Sequence, residues 1–267
     1  MIRVLAIGGS DSGGGAGIEA DIKTITVLGG YALTAITAVT VQDTKAVHHI
    51  TPIDPHLVAQ AITVGLTDIG ADAIKIGMLG SALMVDAVAD ALSKWSARIP
   101  IVLDPVLAAS TGVALSTADT LSALRARLIP LARLVTPNLA EAALLTGQAV
   151  ANVADAERAA LTLAQHGAVL VKGGHLPDTD RPDAMLVDVL AQNAIITRFR
   201  GTRIITQAGH GTGCTLASAI AVGLAEGLEL IPAIERGRRF LRAALSASPG
   251  FGHGVGPLGH AAVDIGR

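Results

Sequence analysis

A run of small residues, Gly211-Thr212-Gly213-Cys214, is the segment of this sequence best suited to bind an anion. The Ala- and Leu-rich residues that follow, with no proline before Pro232, predict a helix that begins at this run. The first N–H groups of a helix have no intrahelical partner and lie at the positive end of the helix dipole. Because glycine has no Cβ, a phosphate can approach those groups closely. The alternative is a glycine-rich turn that only starts a helix, so other residues must distinguish the two.

Asn138 and Glu141 are three residues apart, a spacing that suits two different roles. On a helix they are neighbours, and an asparagine N-cap with a glutamate at the third position forms a capping box. Glu141 could instead bind Mg²⁺, which takes one or two carboxylates together with phosphate oxygens and water. The spacing alone favours the cap.

Lys172 and Cys214 are the other candidates for phosphate chemistry. Lys172 precedes Gly173 and Gly174, which would let a phosphate chain come close, although a lysine there can also be a solvated strand end. Cys214 lies at a predicted helix N-terminus, where the dipole favours the thiolate. Its alternative role is that of a small packing residue. His210, His175 and His253 match no zinc-site spacing and could each be loop residues without a role.

Short buried runs alternate with helical segments along most of the chain. Each run ends in a residue that could contact a ligand: Asp11, Gln42, Met78, Asp104, Asn138 and Lys172. Alternating strands and helices predict an α/β fold with a doubly wound, mostly parallel sheet flanked by helices. Such sheets bind ligands outside the carboxyl ends of their strands. We therefore expect these residues and the run 211–214 to form one site.

The rest of the sequence predicts where further strands and helices begin and how many domains the chain has. Strands are predicted at 35–41, 73–76 and 101–103, and helices open at Asp54, Ser81 and Ser116. The runs 185–190 and 194–199, separated by 191–193, predict a short antiparallel hairpin. The chain has no internal repeat, low-complexity segment or linker, so we expect a single domain over residues 1–267.

The composition excludes several functional classes. A net charge of −2 without a basic block argues against nucleic acid as a partner. The only cysteine, Cys214, excludes an intrachain disulfide framework and suits a reducing compartment. No apolar run reaches the ~20 residues of a membrane span, and the N-terminal run is too short for a signal peptide. We expect a cytoplasmic protein that has no membrane partner.

Six motifs in order along the chain carry a family resemblance: GSDSGGGAGIEAD (9–21), KIGML (75–79), LDPV (103–106), TPNLAE (136–141), VKGGH (171–175) and HGTGCTL (210–216). With GHGVGP (252–257), they resemble the hydroxymethylpyrimidine/phosphomethylpyrimidine kinases of the ribokinase-like superfamily. The cysteine of the last motif stands where sugar kinases of that superfamily carry aspartate.

The resemblance implies ATP-dependent phosphorylation of 4-amino-5-hydroxymethyl-2-methylpyrimidine, and then of its monophosphate, in thiamine biosynthesis. It implies that Gln42 pairs with the amino group and ring nitrogen of the pyrimidine. The residues implied to line the ring pocket are Gly9, Asp21, Met78 and Val106.

The resemblance also implies how phosphates are held. It implies an anion hole at Gly211, Thr212, Gly213 and Cys214, contact of Lys172 with the ATP phosphates, and Mg²⁺ at Asp104, Asn138 and Glu141. Cys214 is the candidate base for the substrate hydroxyl, although a thiolate matches that proton poorly unless transfer is late. A homodimer is implied as well.

Three positions depart from the family pattern and leave alternatives open. Ser110 stands where lysine is usual, and Ala208-Gly209 replaces Asn-Thr before His210. The nearest alternative is a pyridoxine-type vitamin kinase, because both substrates are hydroxymethylated heteroaromatic rings; Gln42 and Cys214 favour the pyrimidine. A cysteine hydrolase using Cys214 and His210 would leave Lys172 and Glu141 without a role. A binding or regulatory protein that has lost activity is the third hypothesis.

Overall fold

The computed structural model describes residues 1–108, 117–174 and 184–264 of the chain. The strands in these ranges are β1 (Arg3–Asp11), β2 (Tyr31–Gln42), β3 (Val47–Pro52), β4 (Ala73–Ile76), β5 (Ile101–Leu103), β6 (Leu134–Val135), β7 (Ala168–Val171), β8 (Met185–Gln192), β9 (Ile195–Thr202), β10 (Ala208–His210) and β11 (Gly256–Pro257). The α-helices there are α1 (Gly17–Val27), α2 (Pro55–Asp68), α3 (Ala82–Leu92), α4 (Ala118–Ala123), α5 (Leu139–Thr146), α6 (Val153–Leu163), α7 (Thr212–Ala225) and α8 (Leu230–Ser246).

The main sheet confirms the predicted doubly wound, mostly parallel fold. Within the described residues it has nine strands in the order β3-β2-β1-β4-β5-β6-β7-β8-β9. Strand β1 is parallel to both β2 and β4, with Leu5 opposite Leu33 on one side and Ile74 on the other. From β1 the chain passes to β2 in one direction, and the later strands β4 to β7 extend in the other direction. The carboxyl ends of β1 and β4 therefore form a topological switch point, where such sheets bind ligands.

Helices cover both faces of the sheet. Successive strand residues point to opposite faces, and the residues that point to each face are apolar. On one face, Leu5 and Ile7 of β1 belong to a core that includes residues of α2, α3, α5 and α6. On the other face, Val4 and Ala6 pack with residues of α1, α7 and α8. The two layers hold the strand ends in fixed positions relative to one another.

Several predicted boundaries are confirmed. Strands β4 and β5 span 73–76 and 101–103 as expected. Asp54 caps α2 by accepting the N–H of His56 at 2.7 Å, and Ser81 caps α3. The predicted cap of α4 was wrong by one residue: Thr117 is the N-cap and forms the capping box with Thr120. Ser116 itself lies outside the described residues.

The antiparallel hairpin is confirmed, and its turn lies one residue later than predicted. Gln192 pairs with Ile195, which leaves Asn193 and Ala194 as the two turn residues. Both have positive φ, 51° and 60°, as a two-residue type I′ turn requires.

Two features were not predicted. Strand β3 pairs antiparallel with β2 at the sheet edge, and the exposed residues His48 and His49 hide its strand pattern in the sequence. Strands β10 and β11 form a short parallel pair that joins His210 to the C-terminal segment. In the part of the chain that the structure describes, none of the helices has both the length and the apolar character that crossing a membrane requires.

Candidate active site

A cavity of about 970 Å³ opens at the carboxyl edge of the sheet, beside the switch point. It is lined by every predicted site residue except Asp21: Gly9, Gln42, Met78, Asp104, Val106, Asn138, Glu141, Lys172, Gly211, Thr212, Gly213 and Cys214. Residues far apart in the sequence thus reach one chamber because their strands end at the same edge.

The resemblance implied that Asp21 lines the ring pocket, and the structure corrects this expectation. Asp21 does not line the cavity. It is completely buried on α1. Its Oδ2 accepts a hydrogen bond from Lys75 Nζ at 2.8 Å, and its Oδ1 accepts one from Ser218 Oγ at 2.8 Å. Burial raises the pKa of Asp21, and Lys75 and Ser218 only partly oppose this effect. Asp21 therefore supports the cavity wall from behind.

Lys75 lines the cavity and Asp21 does not. The sequence analysis did not assign a role to Lys75. It is 1% exposed on β4, and its ammonium lies against Gly77, where a Cβ would come within 2.8 Å of Nζ. Burial opposes its charge, but Asp21, Cys214 and Asp104 outweigh this and raise the pKa of Lys75. The signal was present in the sequence: a lysine inside the otherwise apolar strand 73–76 must have a buried partner.

The start of α7 forms one wall of the cavity. Gly211 precedes the helix with a φ of 89°, and a Cβ there would overlap the carbonyl oxygen of Gly15. Among the residues that the structure describes, no side chain caps this helix, so the N–H groups of its first turn are available to a ligand. A Cβ on Gly213 would lie 3.1 Å from Asp104 Oδ2 and 3.2 Å from Lys172 Nζ. The helix start, a carboxylate and an ammonium therefore meet at contact distance.

Asp104 and Lys172 form a nearly buried ion pair. Lys172 Nζ donates to Asp104 Oδ1 at 2.7 Å, and Thr136 Oγ1 donates to the same oxygen at 3.1 Å. Burial opposes the charge of Lys172, but Asp104 and Glu141 raise its pKa above the usual value. The ammonium therefore stays charged and faces the cavity beside the start of α7.

The capping box at Asn138 and Glu141 is confirmed. Asn138 Oδ1 accepts the N–H of Glu141 at 2.8 Å, and Glu141 Oε2 accepts the N–H of Asn138 at 2.7 Å. Burial raises the pKa of Glu141 to about 7; Lys172 lowers it and Asp104 raises it. Two carboxylates thus share one ammonium.

This arrangement fits a divalent cation. Carboxylate and amide oxygens are hard donors, and Glu141 gains from added positive charge because its ionised form is disfavoured. The described residues hold no group of three or more His, Cys, Asp or Glu side chains that could hold a metal ion. That donor set suits Mg²⁺, which takes few carboxylates and completes its shell with phosphate oxygens and water.

The expected thiolate at Cys214 is a second correction. Burial raises the pKa of the Cys214 thiol to about 11; Lys75 lowers it, and Asp21 and Asp104 raise it. The backbone of Gly17 also lowers the pKa of this thiol. The thiol is therefore protonated near neutral pH, which argues against a cysteine hydrolase. Helix position alone predicted the opposite because the sequence does not show the burial and nearby carboxylates.

Asp11, Gln42 and His210 form a polar cluster in the cavity lining, in which Asp11 and His210 are buried. His210, which the sequence left without a role, is 6% exposed, and its Nε2 lies 2.7 Å from Asp11 Oδ2. Gln42 Nε2 lies 3.1 Å from the same imidazole nitrogen. Burial opposes ionisation of Asp11, but hydrogen bonds from His210 and from the backbone of the glycine-rich loop hold its pKa below the usual value. An aspartate before a glycine run was the available signal for this cluster.

A further part of the cavity is lined by three leucines, Leu186, Leu241 and Leu245, together with the charged residues Asp188, Arg238 and Arg242. Asp188 organises this part: its Oδ1 accepts the N–H of Gly173 at 2.8 Å, and its Oδ2 accepts from Arg238 at 2.8 Å. Ala208 and Gly209, two of the departures from the family pattern, also line the cavity. Ser110 and His175 lie outside the described residues.

Sequence comparison assigns a family to this arrangement. The sequence model of the phosphomethylpyrimidine kinase family matches residues 11–259. A hydroxymethylpyrimidine/phosphomethylpyrimidine kinase of Rhizobium meliloti is 43% identical over 261 residues, which cover 96% of each protein. A thiamine biosynthesis bifunctional protein of Geobacter sulfurreducens is 44% identical over 266 residues. The match covers 98% of this chain but 53% of that protein, so this chain spans about half of its length.

Solved structures agree with the sequence comparison. The phosphomethylpyrimidine kinase of Clostridium difficile has a TM-score of 0.78 at 35% identity, covering 91% of this chain and 98% of that chain. The pyridoxal kinase of Bacillus subtilis, solved as an ADP complex, has a TM-score of 0.88 at 33% identity, covering 98% of both chains. The fold is thus ribokinase-like, and the chain belongs to the phosphomethylpyrimidine kinase family.

Proposed function

We propose that this chain phosphorylates 4-amino-5-hydroxymethyl-2-methylpyrimidine with ATP, and then phosphorylates the monophosphate, as a step of thiamine biosynthesis. The observation that carries the proposal is the meeting of Asp104, Lys172 and Gly213 at the start of α7. The cavity that contains this meeting point is lined by Gln42 and also by Leu186, Leu241, Arg238 and Arg242. A flat heterocycle and a nucleotide can therefore occupy different parts of it.

The part of the cavity at Gln42 suits an aminopyrimidine. The primary amide of Gln42 carries a donor and an acceptor side by side, which complements an amino group next to a ring nitrogen. Gly9 lets the Met78 side chain pack against its backbone, because a Cβ there would lie 2.5 Å from Met78 Cε. Met78 and Val106 supply apolar contact on the same side of the cavity.

The central part suits phosphoryl transfer, which depends on positioning and on neutralising the charge of the transferred group. Lys172 provides a fixed positive charge, and the N–H groups of Thr212, Gly213 and Cys214 provide donors that need no reorganisation. Asp104, Asn138 and Glu141 would hold Mg²⁺, which neutralises charge on phosphate oxygens when it is bound. Asp104 also fixes Lys172 through the 2.7 Å ion pair.

Cys214 would contact the substrate hydroxyl as a neutral thiol. With a pKa of about 11 it holds its proton in the free enzyme. In the loose transition state of phosphoryl transfer, the attacking hydroxyl need not lose its proton early. Cys214 therefore orients the hydroxyl through its protonated thiol and does not act as the base. The hydroxyl proton moves late to an oxygen of the transferred phosphoryl group, as the bond from the substrate oxygen to phosphorus forms and the bond from phosphorus to the ADP oxygen breaks.

A coupled assay of ADP release tests the proposal. With ATP and Mg²⁺, we expect a higher kcat/KM for the hydroxymethylpyrimidine than for pyridoxine. A pyridoxal kinase is the second candidate, because the Bacillus subtilis enzyme superposes with the higher TM-score of the two structures above, 0.88 against 0.78. A clear preference for pyridoxine would replace the first proposal by the second.

We further propose that residues 1–267 form one kinase domain that acts as a homodimer in the cytoplasm. Support for a dimer comes from β2, where Ile36, Val39 and Val41 leave apolar side chains exposed on one face. Light scattering of the purified chain tests this proposal, and a monomeric mass at micromolar concentration would contradict it.

A further inference from the structure

In the cluster of Asp11, His210 and Gln42, the N–H group of the imidazole and the amide NH₂ group of Gln42 compete for the same position. This competition determines which way the Gln42 amide faces. Asp11 Oδ2 accepts the N–H groups of Gly15 at 3.0 Å and Ala16 at 2.8 Å, and it lies 2.7 Å from His210 Nε2. Asp11 Oδ1 accepts the N–H of Gly13 at 2.8 Å. Within the described ranges, every partner of this carboxylate is a backbone donor or the imidazole, as an ionised acid requires.

His210 Nε2 must therefore carry a hydrogen. An ionised carboxylate at 2.7 Å accepts from an imidazole N–H and repels an imidazole lone pair. The Asp11 carboxyl titrates below the usual range, so it is ionised at neutral pH. This conclusion holds for the neutral Nε2–H tautomer and for the imidazolium, because both have a proton on Nε2.

The Nε2–H in turn constrains the amide of Gln42. Gln42 Nε2 lies 3.1 Å from His210 Nε2, and a half-turn of the amide puts Oε1 in the same place. With the amide nitrogen there, two N–H donors face each other. With the oxygen there, the His210 N–H is shared between Asp11 and Gln42, and both groups are satisfied.

We infer that His210, held by Asp11, fixes the orientation of the Gln42 amide and thereby selects an amino-substituted pyrimidine over its oxo-substituted counterpart. This inference rests on the proposed function, in which Gln42 pairs with the ring. A 4-aminopyrimidine presents a donor beside a ring-nitrogen acceptor. A 4-oxopyrimidine presents an acceptor beside a ring N–H donor, so only an amide turned by half a rotation matches it. His210 is thus a positioning residue for specificity.

The test compares two substrates in two matched variants. The substrates are 4-amino-5-hydroxymethyl-2-methylpyrimidine and 5-hydroxymethyl-2-methylpyrimidin-4-one, with ATP and Mg²⁺. His210→Gln keeps an N–H donor near the position of the imidazole Nε2, whereas His210→Met has similar size and no donor. The readout is the ratio of kcat/KM for the amino compound to that for the oxo compound.

We expect the wild-type ratio to be on the order of 10 to 100, because one well-placed bidentate pair discriminates by about that factor. In His210→Met the amide is free to turn, so the ratio should fall to roughly 3 or less while the KM for ATP is unchanged. In His210→Gln the ratio should return towards the wild-type value. A purely structural role of His210 would lower both kcat/KM values together and leave their ratio unchanged.

The outcomes separate this inference from the proposed function. If the wild type phosphorylates neither pyrimidine, the proposed function fails and the inference falls with it. If the wild type phosphorylates the amino compound and His210→Met keeps the full ratio, only the inference is overturned. A measurement without any substitution is also decisive: the ¹H–¹⁵N spectrum of the His210 ring should show Nε2 protonated at neutral pH. An unprotonated Nε2 would overturn the inference even if a variant fails to fold.

Discussion

The substitution Gly213→Ala should lower kcat strongly while it changes the melting temperature only slightly. Gly213 is the second residue of α7, and a side chain at its position would be crowded by Asp104 and Lys172. A Cβ would stand 3.1 Å from Asp104 Oδ2 and 3.2 Å from Lys172 Nζ, a few tenths of an ångström short of an ordinary contact. Either the ion pair or the first turn of the helix must shift, and the methyl group would also stand where a phosphate approaches the N–H groups.

The magnitudes follow from this geometry. Removing one preorganised donor from an anion hole costs on the order of 10² to 10³ in kcat. A displacement of a few tenths of an ångström is a partial loss, so we expect kcat to fall by at least about 10-fold. Alanine favours the helix by up to ~1 kcal/mol over glycine, which offsets the crowding. The melting temperature should therefore change by no more than ~4 °C.

The assay combines steady-state ADP release with thermal unfolding, and Gly65→Ala is the matched control. Gly65 lies within α2, and a Cβ there would make only an ordinary 3.5 Å contact with Leu33. The control should gain slightly in stability and keep its activity. Wild-type kcat in Gly213→Ala would refute the claim that the close approach of α7, Asp104 and Lys172 matters for catalysis.

Three further predictions concern the buried charges. Because the pKa of Cys214 is about 11, its alkylation by iodoacetamide should be slow at pH 7 and should still be accelerating above pH 9; a plateau by pH 8 would contradict the neutral thiol. Lys75→Met should lower the free energy of unfolding by roughly 3–5 kcal/mol, because it leaves Asp21 buried without its partner, and adding Asp21→Asn should recover much of that loss in urea titrations. An equally unstable double variant would count against the ion pair as the cause. The raised pKa of Glu141 means that the folded state binds its proton more tightly than the unfolded state, so the metal-free protein should lose stability as the pH rises from about 4.5 to about 7. Glu141→Gln should flatten that part of the stability profile, and an unchanged slope would show that another group causes it.

The architecture was predictable because its signals are local. Strands such as β4 and β5 are buried on both faces, so their sequences are short apolar runs with clear ends. N-caps such as Asp54 and Ser81 accept hydrogen bonds from backbone N–H groups in the first turn of their own helix. The cap residue and that turn are adjacent in the sequence, so the sequence shows both. Strand β3 was missed because its histidines are exposed, and β10 and β11 were missed because Ala208–His210 and Gly256–Pro257 contain no apolar run that would indicate a strand.

The composition of the site was also predictable, but its electrostatics were not. Strand ends in a parallel sheet meet at one edge, so Gln42, Asp104 and Lys172 could be assigned to one cavity from the chain order alone. Which way a side chain points depends on tertiary packing: Asp21 turns inward to Lys75 instead of lining the cavity. The protonation of Cys214 depends on burial and on carboxylates that are distant in sequence, and these outweigh the helix dipole.

The most direct test of the central claim is mass analysis of the products formed from ATP, Mg²⁺ and 4-amino-5-hydroxymethyl-2-methylpyrimidine. If one cavity holds the ring at Gln42 and the phosphates at Lys172 and the start of α7, the pyrimidine should gain one phosphoryl group and then a second, with one ADP released for each. A pyrimidine recovered unmodified while ATP is hydrolysed, or turnover of pyridoxine alone, would contradict that account.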